Sequence, residues 1–233
     1  MKGIVYCTNN RSLEPPIIPV VREQIKKSGL PITSVSLQPI DFGENVVLKD
    51  RISGSYTLIL QLILGLENSK ADYVFFCEHD VLYHPTYFNF TPTKDDVFYY
   101  NKNVLKWGFN SELTVFHNGL ISLSELCCNR LLALDHFRKR KAYVDKMGWE
   151  KDNPRESWWG RRIGYEPGFK PISPDEKYEV YQAEYPNIDI RHKFCFTNKK
   201  MRLDQFNRPP LDSWKEGNIN NVPGWDVKKL FNL

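Results

Sequence analysis

Apolar positions along this chain follow two rhythms, and the first eighty residues alternate between them. Gly3 to Cys7 is a short continuous apolar run followed by the polar Thr8-Asn9-Asn10-Arg11, which predicts a buried strand and the loop at its carboxyl end. Pro15-Pro16 opens a helix in which Ile17, Val20, Val21 and Ile25 recur at helical spacing, and Lys26-Lys27-Ser28-Gly29 supplies a cationic last turn and a glycine stop. Ile32 to Leu37 reads as a second strand. From about Ser55 to Asn68 the residues Leu58, Ile59, Leu62, Ile63 and Leu66 form one broad apolar stripe of a second helix. A short turn then leads into Ala71-Asp72-Tyr73-Val74-Phe75-Phe76-Cys77-Glu78-His79-Asp80, an apolar strand ending in two carboxylates around a histidine. This alternation predicts an α/β protein with a Rossmann-type mixed, mostly parallel sheet flanked by helices.

After Asp80 the pattern changes. Val97 to Tyr100, Val104 to Trp107 and Leu113 to His117 read as short strands added in antiparallel fashion. Ser122-Leu123-Ser124-Glu125 has the form of a capping box at the head of a long helix reaching about Lys146. From residue 148 to 178 the chain is rich in Pro, Gly, Trp and charge, including Trp149, Trp158, Trp159 and Tyr165, and predicts a structured loop or lid. Ile188-Asp189-Ile190 resumes a strand that ends in Arg191-His192, and residues 201–233 read as a basic, irregular tail with Trp214 and Trp225. The expected organisation is one domain over 1–200, with a nucleotide-binding half at 1–80 and an acceptor half at 81–200, followed by the tail.

A chain of 233 residues with 41% apolar residues can bury a full core. No stretch approaches the roughly 20 apolar residues of a membrane span, and Met1-Lys2-Gly3-Ile4 enters a strand pattern without a leader layout, so a cytoplasmic location is expected. The five cysteines, Cys7, Cys77, Cys127, Cys128 and Cys195, contain no Cys-x-x-Cys pair and predict buried free thiols. The net charge of +4 is unevenly spread. Arg138, Lys139, Arg140, Lys141, Lys146, Lys151, Arg155, Arg161 and Arg162 crowd one stretch, either as a solvated helix face or as a surface for phosphates.

Two carboxylates at the carboxyl end of a buried strand cost desolvation and mutual repulsion, which a divalent cation or several donors must offset. Glu78 and Asp80 are therefore candidates for a metal or catalytic site, at the strand end where open α/β sheets bind ligands.

Taken together, the βαβ opening, the stretch from Gly54-Ser55-Tyr56 through Phe76-Cys77-Glu78-His79-Asp80-Val81, and the late histidine resemble GT-A type, family-2-like glycosyltransferases and their "DxD" element. Tyr185-Pro186-Asn187-Ile188-Asp189-Ile190-Arg191-His192 is likewise similar to the end of compact bacterial and phage enzymes of that kind. Glu78 departs from the motif, which makes Asp80 the safer ligand. The resemblance implies transfer from a nucleotide sugar, UDP-linked, with Mn²⁺ or Mg²⁺ held by Glu78, Asp80 and His192. It implies nucleotide contacts from Tyr6, Thr8, Asn9, Asn10, Arg51, Ser55 and His79, and a loop His117-Asn118-Gly119 whose Asn118 and Gly119 close over the donor sugar. His79 alternates away from its neighbours on an extended strand, which also suits a packing role.

An inverting transfer needs a carboxylate to accept the proton of the attacking hydroxyl, and Glu184, Glu166 and Asp189 are the contenders, with Glu184 preferred. The acceptor is a saccharide or a modified base in DNA; the oligomeric state is not encoded legibly. Two rival readings remain: a nucleotidyltransferase, although the chain lacks a glycine-rich phosphate loop with a following lysine, and a basic nucleic-acid-binding module without catalysis, in which Trp158 and Trp159 stack on bases.

Overall fold

Strand β1 (Lys2–Cys7) is covered on both faces, which explains its unbroken apolar run: Ile4 and Tyr6 enter one core, Val5 and Cys7 the other. The computed structural model describes residues 1–11, 17–116, 121–149, 164–192, 195 and 214–232. After β1 come α1 (Ile17–Lys26), β2 (Ile32–Ser36), β3 (Glu44–Val47), α2 (Ser55–Asn68), β4 (Tyr73–Glu78) and β5 (Val81–Leu82). Next are β6 (Val97–Asn101), β7 (Val104–Gly108), β8 (Leu113–Phe116), β9 (Leu126–Asn129) and α3 (Arg130–Lys146). The described chain ends with β10 (Lys177–Tyr181), β11 (Asn187–Arg191), β12 (Lys215–Asn218) and α4 (Val227–Phe231).

Seven strands form the central sheet in the order β10-β6-β9-β4-β1-β2-β3, all in one direction except β9. The architecture is thus mixed α/β with a mostly parallel sheet flanked by helices. Residues of α2 and α3 share a core with Val5, Val74, Phe76 and Phe98, and α1 packs on the opposite face with Ile4, Tyr6 and Phe75. Gly65 lets α2 lie against β1, since a Cβ there would come within 2.7 Å of Val5 Cγ1. A second sheet, β12-β8-β7-β11-β5, adds Trp107, Ile188 and Ile190 to the α1-side core.

Several sequence expectations change. The long helix starts at Arg130 rather than Ser122, and its N-cap is Asn129, whose side chain accepts from the Leu131 and Leu132 N–H groups. Leu126, Cys127 and Cys128 are buried as β9, filling the space between β4 and β6, and burial of that apolar run overrides the helix signal. Ser122 makes no side-chain cap. Of the expected antiparallel additions, β6 is also parallel to β10, and β7 is parallel to β11. The tail, expected to be irregular, contributes β12 beside β8 and α4, whose Phe231 packs 5.4 Å from Trp107. Pro15, Pro16, residues 150–163 with Trp158 and Trp159, and residues 196–213 lie outside the described residues.

The basic run on α3 is mostly paired. Arg138 meets Glu67 at 2.6 Å, Lys139 meets Asp135 and Lys141 meets Asp145, as a solvated helix face requires. Arg140 differs, being fully buried; it donates to His136 Nε2 at 3.0 Å, Gly164 O at 2.5 Å and Lys170 O at 2.6 Å. Glu176 completes this knot, accepting from His136 Nδ1 at 2.7 Å and from the N–H groups of Gly168 and Ile172. The segment from 164 to 176 is thereby tied to α3. Among the described residues no helix is long and apolar enough to cross a membrane.

Replacing Arg140 by Met strands one buried carbonyl, Gly164 O, and one partly buried, Lys170 O, and should cost roughly 3–5 kcal/mol in urea unfolding. Lys141→Met, at a partly exposed pair, should change stability by no more than about 0.5 kcal/mol. Equal effects would show that the knot does not hold the segment.

Candidate active site

The acidic end of β4 lies where the two sheets meet. β1 and β4 run in register with Cys7 opposite Glu78, so the loop after β1 and the Glu78-His79-Asp80 corner open on the same edge. Directly after Asp80, β5 enters the second sheet, pairing antiparallel with β11 so that Asp189 faces Val81 and Ile188 faces Leu82. The Ile190 N–H donates to Asp80 O at 2.8 Å. This seam delivers residues from the end of the chain to the β4 corner.

His192 follows directly. Its ring is buried, 2% exposed, and its Nε2 lies 3.1 Å from Asp80 Oδ2. Burial pulls His192 down, but the hydrogen bonds to Asp80 and Cys195 and their charges prevail and push it up to about 9. Burial alone would raise Asp80; His79, His192 and Arg191 together outweigh it and hold that carboxyl below its ordinary range. The pair is an imidazolium–carboxylate pair at neutral pH.

Glu78 sits beside it in the opposite state. Its carboxyl is pushed up to about 8, first by burial, then by the charges of Asp80, Asp189 and Glu166, which Arg191 only partly offsets. The Glu78 N–H donates to the Tyr83 hydroxyl at 2.9 Å. Asp189 is likewise raised by burial, although Arg191 Nη1 holds its two oxygens at 3.2 and 3.3 Å. Lys106 is the strand partner of Asp189 on β7, and burial lowers its amine. Cys195 closes a turn by donating its N–H to His192 O at 3.2 Å, and oxygen, nitrogen and sulfur donor atoms of Asp80, His192 and Cys195 all lie within 4.8 Å of one another. Glu78 is not part of that group of donor atoms. The donors fit a divalent cation, which would hold the imidazole in its neutral form and relieve the repulsion around Glu78.

The other expected site residues divide. Glu166 and Asp189 both lie within electrostatic reach of Glu78. Glu184, the preferred base, is exposed and lies beside His84, before β11 begins, so it is not brought to the cluster. Tyr6 is buried in the core with its hydroxyl 3.4 Å from Arg22 Nε. Thr8 is buried and accepts from the Asn10 N–H; Asn10, at φ 56, spends its carboxamide on Leu37 and Gln38, so its role is to fix a turn. Asn9 donates to Ser53 Oγ at 3.0 Å, close to the buried Ser55 at the head of α2. Arg51 is exposed, 5.9 Å above the Tyr56 ring. His79 lies against the Cys7 backbone and is lowered by burial. Asn118 and Gly119 fall outside the described residues. Sequence reading missed Arg191, Lys106 and Cys195, and only the His-x-x-Cys spacing of His192 and Cys195 offered a local signal.

Because the Glu78 carboxyl is raised in the folded state, the stability tied to it is complete below about pH 4.5 and is lost as pH rises through about 8. Glu78→Gln should therefore melt with the wild type in acid and above it, by a few degrees, near about pH 9. A gap that shrinks as pH rises would contradict the repulsion.

No protein-family model and no curated protein matches this chain. Among solved structures it is similar to a nucleotidyl transferase from Methanothermobacter thermautotroptrophicus, at 13% identity and a TM-score of 0.42, over 59% of this chain and 76% of that one. It is also similar to a glycosyltransferase involved in the glycosylation of the major capsid of PBCV-1, at 9% identity and a TM-score of 0.46, over 78% and 81% of the two chains. A third likeness is to the glycosyltransferase GlyE of Streptococcus pneumoniae, at 10% identity and a TM-score of 0.40, over 77% of this chain and 44% of that one.

Proposed function

We propose that this protein is a metal-dependent glycosyltransferase that moves a sugar from a UDP-linked nucleotide sugar to a hydroxyl acceptor. The observation that carries the reading is the convergence of Glu78, Asp80 and Asp189 with His192 at the carboxyl edge of two parallel strands. Such an acidic edge suits a cation between protein carboxylates and phosphate oxygens, with Asp80 and His192 the first holders of Mn²⁺ or Mg²⁺. A cation there neutralises charge that develops on a departing nucleoside diphosphate.

The chain's own residues supply the rest. Thr8, Asn9 and the head of α2 at Ser55 line the loop edge beside β1 and suit base and ribose contacts. Arg191 orients Asp189 and Glu184 is remote, so of the three candidate bases Glu166 is the one near the cluster with no ion pair among the described residues. Glu166 is accordingly the base we assign for the acceptor hydroxyl. Arg138, Lys139 and Lys141 spend their charge on acids of the same protein, so the described part of the basic run favours a saccharide acceptor over a modified base in DNA.

With Mn²⁺ present, one member of a nucleotide-sugar panel should raise the melting temperature and be hydrolysed slowly to nucleoside diphosphate. Asp80→Asn should cut that turnover by about 10²-fold or more while retaining the fold. Pyrophosphate release from nucleoside triphosphates, with no response to any nucleotide sugar, would instead identify a nucleotidyltransferase. DNA binding with a steep salt dependence and no donor response would identify a binding module.

Glu166→Gln should lower transfer to the acceptor by about 10²-fold and leave the donor-induced melting shift intact. Glu184→Gln should leave both unchanged. Loss of transfer in the second variant alone would reverse the assignment of the base.

A further inference from the structure

We propose that Asp80, His192 and Cys195 form a three-donor site for a thiophilic divalent cation of the Zn²⁺ and Co²⁺ class, with Cys195 as a ligand. This deepens the cation part of the preceding reading and does not depend on which group is transferred.

Geometry supports it from three sides. A carboxylate oxygen, an imidazole nitrogen and a thiol sulfur lie within 4.8 Å of one another, the one such group of donors among the described residues. Asp80 Oδ2 and His192 Nε2 are already 3.1 Å apart, close to the separation of two donors on one ion. His192 and Cys195, in a His-x-x-Cys spacing, are joined by the Cys195 N–H to His192 O bond at 3.2 Å, which holds ring and thiol near one another. The backbone further positions the sulfur: the His192 N–H donates to Cys195 Sγ at 3.2 Å, and the thiol in turn donates to Ile190 O at 3.5 Å.

The chemistry of the donor set then selects the ion. Mg²⁺ takes hard oxygens and holds its water, and gains little from a thiol. A mixed oxygen, nitrogen and sulfur set suits Zn²⁺, Co²⁺ or Fe²⁺, with affinity rising toward the end of the first transition row. Three protein donors leave a tetrahedral ion one position for an outside oxygen. Binding would release two protons to solvent, one from the Cys195 thiol and one from the His192 imidazolium, and create the sulfur–metal and nitrogen–metal bonds with no change in oxidation state. Cys7, Cys77, Cys127 and Cys128 are buried in the two cores, whereas Cys195 is partly accessible, so a sulfur–metal signal reports on Cys195.

The test is cobalt titration of chelator-treated full-length protein, read by absorption. One equivalent of Co²⁺ should produce a near-ultraviolet thiolate-to-cobalt charge-transfer band, and Zn²⁺ should displace it. Cys195→Ser should lose the band and bind Zn²⁺ about tenfold or more weakly, with Mg²⁺ affinity unchanged within about twofold. Absence of the band in the wild-type protein at saturating Co²⁺ overturns the proposal without recourse to a variant, as does a band that survives in Cys195→Ser. Neither result touches the donor-hydrolysis assay, so failure of the thiolate site and failure of the transferase reading are separate outcomes.

Discussion

The corner at Asp80, where one sheet hands the chain to another, is the constraint on which the site depends. A strand that leaves a parallel sheet normally reaches solvent, and acids there are simply hydrated. Here β5 begins immediately at Val81, and Asp80 is held at both ends, its carbonyl by the Ile190 N–H at 2.8 Å and its carboxylate by His192 at 3.1 Å. The acids therefore gather inside a seam instead of spreading over a surface. Their repulsion is balanced unevenly: Asp80 has the imidazole, Asp189 has Arg191, and Glu78 has neither ion-pair partner, so burial first and the neighbouring acids second drive its carboxyl up to about 8.

The parallel half of the fold was legible because its signals are local. A βα unit closes within about thirty residues, and an apolar stripe such as Leu58, Ile59, Leu62 and Leu66 specifies helix and buried face together. α2 begins and ends where the periodicity predicts. The segment after Ile121 misled for an equally physical reason. Ser-x-x-Glu before an apolar run fits both a capping box and a buried carboxylate at the entrance to a strand, and only the gap between β4 and β6 decides. Glu125 is taken by Asn101 and Asn187, each at 2.8 Å, and the three residues after it fill the gap. β5 is too short for periodicity to mark, and the partners of β12 and α4 lie a hundred residues away in sequence.

The same distinction governs the site. Glu78 and Asp80 announced themselves because acids at the end of an apolar run are locally anomalous. Arg191 and Lys106 did not, since their place in the cluster exists only through the pairing of β11 with β5 and β7. Glu184 differs: it is exposed and precedes β11, whose other end carries Arg191 and leads into His192.

Beneath the cluster, Glu125 sets how much charge the seam can bear. It is 1% exposed, both asparagine bonds fall on Oε2, and Oε1 has no hydrogen-bond partner. Burial raises its carboxyl well above the ordinary range, against the help of Asn101 and Asn187, and Asp189 and Glu78 add to the shift. Burial thus disfavours its ionised form. Ionised, it would add a further negative charge close to Asp189 and Glu78 in a buried region. Protonated, it still bridges β6 to β11 through the two asparagines and so holds the second sheet in the register that brings His192 to Asp80. The seam keeps its outer acids close together with its deepest carboxyl serving as a hydrogen-bonding strut between β6 and β11.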